Sequence, residues 1–425
     1  MTETTAIEPS MQILEKLITE VPDGDRIRLC LQCGSCSGVC PFGHVMEFPP
    51  HGMIAAMRAG IFDKVLKSDA GWMCISCYAC TQICPSNIPV TAGLMTSLKE
   101  ELILSGDVPT ELQEALENAQ RYFNPLGESP RKRAEWAEGQ EPEVNILRKT
   151  KKPVDVLWYV GDYPSYHPRA KEGTVALAKV LNALGVNFGI LGPEEVSDGD
   201  SLRMAGEIGL FEMLAEKNAG AFEAYEFGEI ITGDPHAYNA IKNEYPRLGF
   251  SYPIRHYTQF LDEHLAKIKS LAKKPIDAKV TFHDPCYLGR VNAVIDEPRR
   301  ILEAIPGLEL VEMAHYRENS LCCGGGGGGM WLEGFQWERA GARVSEWRIR
   351  EAVAAFSKTK ATAADAKGTK KTDGEKASKK ATILAIACPY EAPRFEDATK
   401  TVPGAEGILV KDIAELLAES MGLGA

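Results

Sequence analysis

Eight of the twelve cysteines in this 425-residue chain stand in two copies of one spacing. Cys30, Cys33, Cys36 and Cys40-Pro41 read C-x2-C-x2-C-x3-C-P, and Cys74, Cys77, Cys80 and Cys84-Pro85 repeat it. Three thiolates on a tight loop suit one face of an iron–sulfur cubane, and a fourth after a short spacer reaches across to the neighbouring cluster. By that rule Cys30, Cys33, Cys36 and Cys84 hold one [4Fe-4S] cluster, and Cys74, Cys77, Cys80 and Cys40 hold the second. A pair of zinc sites is the competing reading, but zinc usually takes two CxxC pairs, not this spacing in duplicate. Between the motifs, Pro50 to Lys67 reads as a helix with Met53, Ile54, Met57, Ile61, Val65 and Leu66 along one stripe, which predicts a helical ferredoxin domain.

A second cysteine set lies in the last third of the chain. Asn319-Ser320-Leu321-Cys322-Cys323-Gly324 opens an unbroken glycine row from Gly324 to Gly329, followed by Met330-Trp331. Adjacent cysteines do not readily close a disulfide on each other, and a glycine row has no core-packing value. The economical reading is a backbone that passes close to a bulky, electron-rich group held by thiolates, with Gly324 and Gly325 approaching it through their amides.

Composition excludes some functions. With 47 basic and 59 acidic residues the net charge is -12, the wrong sign for binding a phosphate backbone, so no nucleic-acid partner is expected. The start Met1-Thr2-Glu3-Thr4 has no signal-peptide pattern, and no apolar run is long enough to span a bilayer. The expected location is cytoplasmic, with any place on the cytoplasmic face of a membrane reached through a partner subunit. Cysteines in such a chain suggest metal ligation over a disulfide framework.

The rest of the chain organises into domains. Glu111 to Tyr122 reads as helix, Pro125-Leu126-Gly127 breaks it, and Pro130-Arg131-Lys132-Arg133 reads as a solvated connector. From Val154 strands and helices alternate: Val156–Val160, Asn187–Leu191 and Glu229–Thr232 as strands, with helices over Thr174–Leu184 and Leu202–Asn218. A second round follows, with strands over Lys279–His283, Leu308–Met313 and Thr382–Ala387, helices over Pro298–Ile305 and Trp331–Phe356, and a final strand and helix from Gly407 to Met421. Such alternation implies parallel sheets and an internal duplication. Cys286-Tyr287, Cys322-Cys323-Gly324 and Cys388-Pro389-Tyr390-Glu391 correspond to Asp162-Tyr163, Ser197-Asp198-Gly199 and Asp234-Pro235-His236-Ala237. The first half has lost every thiolate. The expected division is 1–105 for a two-cluster ferredoxin domain and 106–150 for a helical linker. A cysteine-free half follows over 151–275, and a cluster-bearing half over 276–425 contains a low-complexity insertion at 357–382.

These positions are strand-end loops, where parallel sheets place ligands. Cys286, Cys322, Cys323 and Cys388 can therefore surround one further cluster, buried structural cysteine being the plainer alternative. Asp162, Asp198 and Asp234 are read as loop hydrogen-bonding residues in preference to a carboxylate metal site. The glycine row lacks the Gly-Lys-Ser/Thr of a nucleotide loop, and no strand-to-helix G-x-G-x-x-G supports a flavin or NAD site. His283 and His236 sit beside the motif loops, as structural residues or as hydrogen-bonding partners of a substrate or cluster. Trp331 and Tyr390 are candidates for a pocket wall or for the core.

Two ferredoxin motifs followed by Cys286, Cys322-Cys323-Gly324 and Cys388 resemble the CCG-domain proteins, over nearly the whole chain. The fused order is similar to the D-type polypeptide of heterodisulfide reductase and to the K-type polypeptide of sulfate-reducer membrane redox complexes. The resemblance implies a multidomain chain, an α-helical ferredoxin domain followed by a duplicated α/β parallel-sheet CCG domain. It implies a third [4Fe-4S] cluster, cubane or noncubane, at which thiol/disulfide chemistry takes place. It further implies a membrane cytochrome b-type subunit or soluble electron donor, and a thiol/disulfide substrate or small sulfur-carrier protein. A relay subunit without substrate chemistry is the alternative.

The family's last motif is C-x-x-C, whereas here Glu391 replaces the final thiolate. Glu391 can be an oxygen ligand to iron, a bystander beside an open iron or plain cubane, or a proton donor near Cys323 and His283. If all three sites hold four-iron clusters, the purified protein contains about twelve irons per chain. An anaerobic iron determination that returns only about eight would remove the third cluster.

Overall fold

The computed structural model describes residues 9–365 and 380–424. It divides into two compact units. The first comprises Met1–Arg121, Gly199–Met213 and Gly324–Val344; the second comprises Tyr122–Asp198, Leu214–Cys323 and Ser345–Ala425. Each half of the duplication therefore leaves the second unit at the same place, directly after Ser197-Asp198 and directly after Cys322-Cys323. The glycines that follow, Gly199 and Gly324, share a left-handed backbone at φ +80° and +88°. That conformation costs glycine little and any other residue about a kcal/mol or more.

The second unit holds two four-stranded parallel sheets. In chain order the strands are β1 (Val154–Tyr159), β2 (Phe188–Gly189), β3 (Phe227–Thr232), β4 (Ile254–His256), β5 (Ala278–Phe282), β6 (Leu308–Leu310), β7 (Ala381–Ile386) and β8 (Ile408–Asp412). The spatial orders are β2-β1-β3-β4 and β6-β5-β7-β8, one topology used twice. In the central pairs Trp158 stands beside Ile231, and Val280 beside Ile383. These strands read as continuous apolar runs because helices cover both faces of a parallel sheet. Val156 to Tyr159 and Ile383 to Ile386 are all buried.

The two halves interlock through their helices. Helix Pro168–Ala183 of the first half packs on Ile413–Ser420 of the second, and Tyr257–Glu263 on Asp296–Glu303. The last strand of each half ends in a capping box. His256 caps Tyr257–Glu263 with Gln259, and Asp412 caps Ile413–Ser420 with Glu415.

Several elements differ from the sequence reading for one reason. The expected helices Pro50–Lys67, Leu202–Asn218 and Trp331–Phe356 are each cut by a glycine at positive φ, namely Gly60, Gly206 and Gly341. The third expected helix becomes Glu333–Ala340 and Val344–Asp365, the latter running past Phe356. Of the insertion at 357–382, positions 366–379 lie outside the described residues. The segment Pro130–Ala137, expected as a solvated connector, is a 3-10 helix that buries Arg133, Ala134, Trp136 and Ala137. Trp136 rests against Trp158 of β1 with ring centroids 5.3 Å apart.

In the first unit Gly206 sits at φ +100°, and a Cβ there would lie 2.6 Å from the carbonyl carbon of Lys99 and from the amide of Glu100. Gly206→Ala should therefore destabilise the protein by about 1–3 kcal/mol from backbone strain alone. Gly220→Ala, in a helix with no atom within 4 Å of the added carbon, should instead stabilise it by roughly 0.5–1 kcal/mol. Urea midpoints of the two variants against the parent check both signs.

Candidate functional site

The first unit brings the eight motif cysteines into the two crosswise sets expected from their spacing. One small cavity is lined by Cys30, Cys33, Cys36 and Cys84, and another by Cys40, Cys74, Cys77 and Cys80. Both three-cysteine loops turn through left-handed residues at equivalent positions, Gln32 and Gly34 in one, Ser76 and Tyr78 in the other. Three of these are not glycine, a conformational cost held in place by the loop's role. Alternation of left- and right-handed residues lets successive amides face one concavity, which suits an anionic core. Gln32 Nε2 donates to Cys30 Sγ at 3.1 Å and the Ser76 amide to Cys74 Sγ at 3.4 Å. The sets differ in exposure: Cys33 is exposed, whereas Cys77 and Cys80 are buried. Burial pushes the Cys80 thiol well above its ordinary value, with Cys77 adding to the shift. A thiol so disfavoured as a free thiolate fits a position where metal takes the proton's place.

The glycine row belongs to this unit from Gly324 onward. Its closest approaches outside the row itself are to the loop of the second motif. A Cβ on Gly327 would stand 2.2 Å from Ser76 Oγ, and one on Gly329 would stand 3.0 Å from Ile75 Cγ2. Trp331 lies in the same unit, half-buried.

The second unit brings Cys286, Cys322, Cys323 and Cys388 together, all buried and none in a disulfide. Cys286 follows β5 and opens the turn Cys286–Val291, and Cys388 follows β7 and stands three residues before Glu391, the first residue of helix Glu391–Thr401. The sulfurs of Cys286 and Cys322 are 4.0 Å apart, too far for a disulfide. Arg394 Nε donates to the carbonyl of Cys323 at 3.2 Å.

Beside these thiols lie the two other predicted residues. One ligand atom each from His283, Cys323 and Glu391 falls within 4.8 Å of the others. His283 Nε2 is 3.1 Å from Glu391 Oε1, and both side chains are essentially inaccessible. Among the described residues, His283 Nε2 and Glu391 Oε2 are buried without a well-formed hydrogen bond. Four converging thiols beside two orphaned polar atoms fit a group with several coordination positions.

Arg348 carries no motif that would single it out in the sequence. It is fully buried on helix Val344–Asp365, and its Nε donates to His283 Nδ1 at 2.9 Å. The His283 proton therefore sits on Nε2, facing Glu391. Burial, reinforced by Arg348, holds His283 well below its ordinary pKa, hence neutral. Burial and then Cys323 push Glu391 well above its ordinary carboxylate value.

The first half faces this site across the pseudo-twofold. Tyr163 meets Tyr390 with centroids 4.9 Å apart, and the equivalent pair His236 and Tyr287 lies at 4.0 Å. Tyr390 is buried, and its ring also meets His236. The first half's own pocket is filled. Arg133 Nη2 donates to Asp162 at 2.5 Å and Nη1 to Glu195 at 2.8 Å. Glu195 in turn accepts from the amides of Val160 and Gly161 at 2.9 and 2.8 Å. Asp234 Oδ1 accepts from the His236 amide at 2.8 Å. Asp162 thus serves ion pairing and Asp234 hydrogen bonding.

A small cavity beside Cys388 is lined by Arg169, Tyr257, Asp412 and Glu415 among others. Burial pushes Asp412 up to about 7. Its folded pKa lies above the unfolded one, so the folded state retains a proton that the unfolded state releases between about pH 4 and 7. Stability falls with rising pH across that window, by at most roughly 1.4 kcal/mol per unit. Asp412→Asn should flatten that part of the profile, measured as urea midpoint against pH.

Comparison with known proteins finds two matching families. Residues 280–359 match a cysteine-rich (CCG) domain and residues 26–88 a 4Fe-4S dicluster domain. The chain is 36% identical over 329 residues to the probable iron-sulfur-binding oxidoreductase FadF of Bacillus subtilis, covering 76% of this chain and 43% of that protein. It is 33% identical over 374 residues to the EtfAB:quinone oxidoreductase of Syntrophomonas wolfei, covering 86% and 48%. The chain spans about half the length of these two relatives. Against the D-type polypeptide of the dihydromethanophenazine:CoB–CoM heterodisulfide reductase of Methanosarcina mazei it is 30% identical over 340 residues, 78% of this chain and 74% of that one.

Proposed function

The chain belongs to the family of CCG-domain iron–sulfur oxidoreductases that includes the D-type polypeptide of heterodisulfide reductase, and on that premise we propose that it passes electrons through two [4Fe-4S] clusters to a third, where a sulfur–sulfur bond is cleaved or formed. Cys30, Cys33, Cys36 and Cys84 would hold the first cluster, Cys40, Cys74, Cys77 and Cys80 the second, and Cys286, Cys322, Cys323 and Cys388 the third. Gly324 and Gly325 follow the last pair as its backbone approach. Clusters supply electrons singly, and cleavage of RS–SR′ takes two electrons and two protons to give RSH and R′SH.

The observation that carries the sulfur chemistry is the buried Glu391–His283 pair against Cys323. Thiolate leaving groups need protons, and a pure electron relay does not. Glu391, held protonated by burial, can give one proton to a departing thiolate, and the second comes from solvent. Neutral His283, fixed by Arg348, stands 3.1 Å from that carboxyl group. Glu391 Oε2 is also the oxygen free to approach iron as a ligand.

A second reading, electron transfer alone, is favoured by the burial of the site. Cys323 is 7% exposed and Cys286 8%, which leaves a substrate little surface to meet. No described helix is long and apolar enough to cross a membrane. In the proposed complex a cytochrome b-type subunit or a soluble donor would supply or take the electrons, and a thiol, disulfide or small sulfur-carrier protein would be the sulfur partner.

Glu391→Gln distinguishes the readings. In the sulfur reading the variant keeps its iron and its reducible clusters but loses about 10²-fold or more in disulfide turnover, with the pH dependence altered. Electron paramagnetic resonance of the oxidised parent should show a new signal on adding a thiol. A parent whose third cluster ignores thiols and disulfides leaves the relay.

A further inference from the structure

Lys99, on helix Thr96–Leu104, is fully buried. Its Nζ donates to three backbone carbonyls: Gly327 at 2.6 Å, Cys74 at 2.8 Å and Met204 at 3.2 Å. All three acceptors lie in the first unit with it. Carbonyl oxygens only accept, and a neutral amine has two hydrogens to offer. Three such partners require the ammonium form.

Among the described residues no carboxylate lies within ion-pair distance of this ammonium. An isolated buried charge costs several kcal/mol even after relaxation, and structures neutralise it or supply a counter-charge. Burial does push the Lys99 pKa down, and the Cys74 thiolate opposes that shift. The negative charge in reach is therefore the thiolate set that begins at Cys74, whose carbonyl Lys99 already holds. This set is also the less exposed of the two, with Cys77 and Cys80 buried. Burial alone disfavours the extra electron of a reduced, more negative cluster, and a fixed nearby cation favours it.

We propose that Lys99 is the counter-charge of the cluster held by Cys40, Cys74, Cys77 and Cys80, a positioning residue that raises that cluster's reduction potential while tying the Cys74 loop to Met204 and Gly327. The first motif's counterpart is exposed: the carbonyl of Cys30 accepts from Arg58 at 2.9 Å. The cation over the second site is desolvated, so its field is screened far less than that of Arg58.

This inference rests on the cluster assignment above, and the test separates the two. The iron content and the presence of two ferredoxin-type signals in the parent chain establish the assignment independently of any Lys99 variant. Lys99→Met and Lys99→Gln are then prepared in the full-length protein, Gln keeping amide donors without the charge. In redox titrations followed by electron paramagnetic resonance, one ferredoxin-type signal should move to lower potential in whichever variant retains full iron, and the other should stay put. Lys99→Arg should hold the shifted signal near the parent value. An unchanged potential in an iron-replete Lys99→Gln or Lys99→Met protein overturns the proposal. So does loss of iron in Lys99→Met with parent potentials in Lys99→Gln, which would show a role in support only.

Discussion

The adjacency of β1 with β3, and of β5 with β7, governs the second unit. In each sheet the chain passes from the first strand outward to the edge and then returns to the other side, so the loops leaving the two central strands diverge from a common gap. Parallel sheets open a crevice at that switch point because successive crossovers go to opposite faces. Cys286 leaves β5 and Cys388 leaves β7 on the two sides of one such gap, and Cys322-Cys323 comes in from beyond the edge strand β6. The thiols converge because of strand order, with no need for a dedicated loop fold.

The same topology in the first half poses a problem that chemistry has to answer. A crevice without thiolates would expose the amides of Val160 and Gly161 to an unfilled interior. Glu195 accepts from both amides, and Arg133 pairs with Glu195 and Asp162 at once. Such a buried triad is sustained only when every charge is paired and hydrogen-bonded. The capping boxes at His256 and Asp412 show that the duplication extends to helix starts, where it was retained, while the crevice contents were exchanged.

Much of this was legible in the sequence, because the informative signals were local. The eight ferredoxin cysteines sit within short motifs, and the pairing rule for the fourth cysteine needs no tertiary knowledge. The match of Ser197-Asp198-Gly199 to Cys322-Cys323-Gly324 was readable from spacing, and Gly199 and Gly324 share the same backbone state. What was not legible depends on partners distant in the chain. Arg133 in a basic run looks solvated until Asp162 and Glu195 are seen beside it. Arg348 and Lys99 sit on helices whose inward faces only the packing reveals. The strand β4, three residues long, carries too little periodicity to register. Gly60, Gly206 and Gly341 were readable as breaks, but a lone glycine in a helical pattern is tolerated often enough to be passed over.

The Arg133 triad makes the loss of the first site hard to undo. An empty pocket can be refitted by restoring its ligands one at a time, each change harmless alone. Here a cysteine at 162 would strip Arg133 of one of its carboxylates, while Glu195 would still occupy the amides of Val160 and Gly161. That single step leaves the pocket occupied, and removing Arg133 instead would strand two buried carboxylates without a counter-charge. The asymmetry between the two halves behaves as a ratchet, held by electrostatics in a place where only metal chemistry would be looked for.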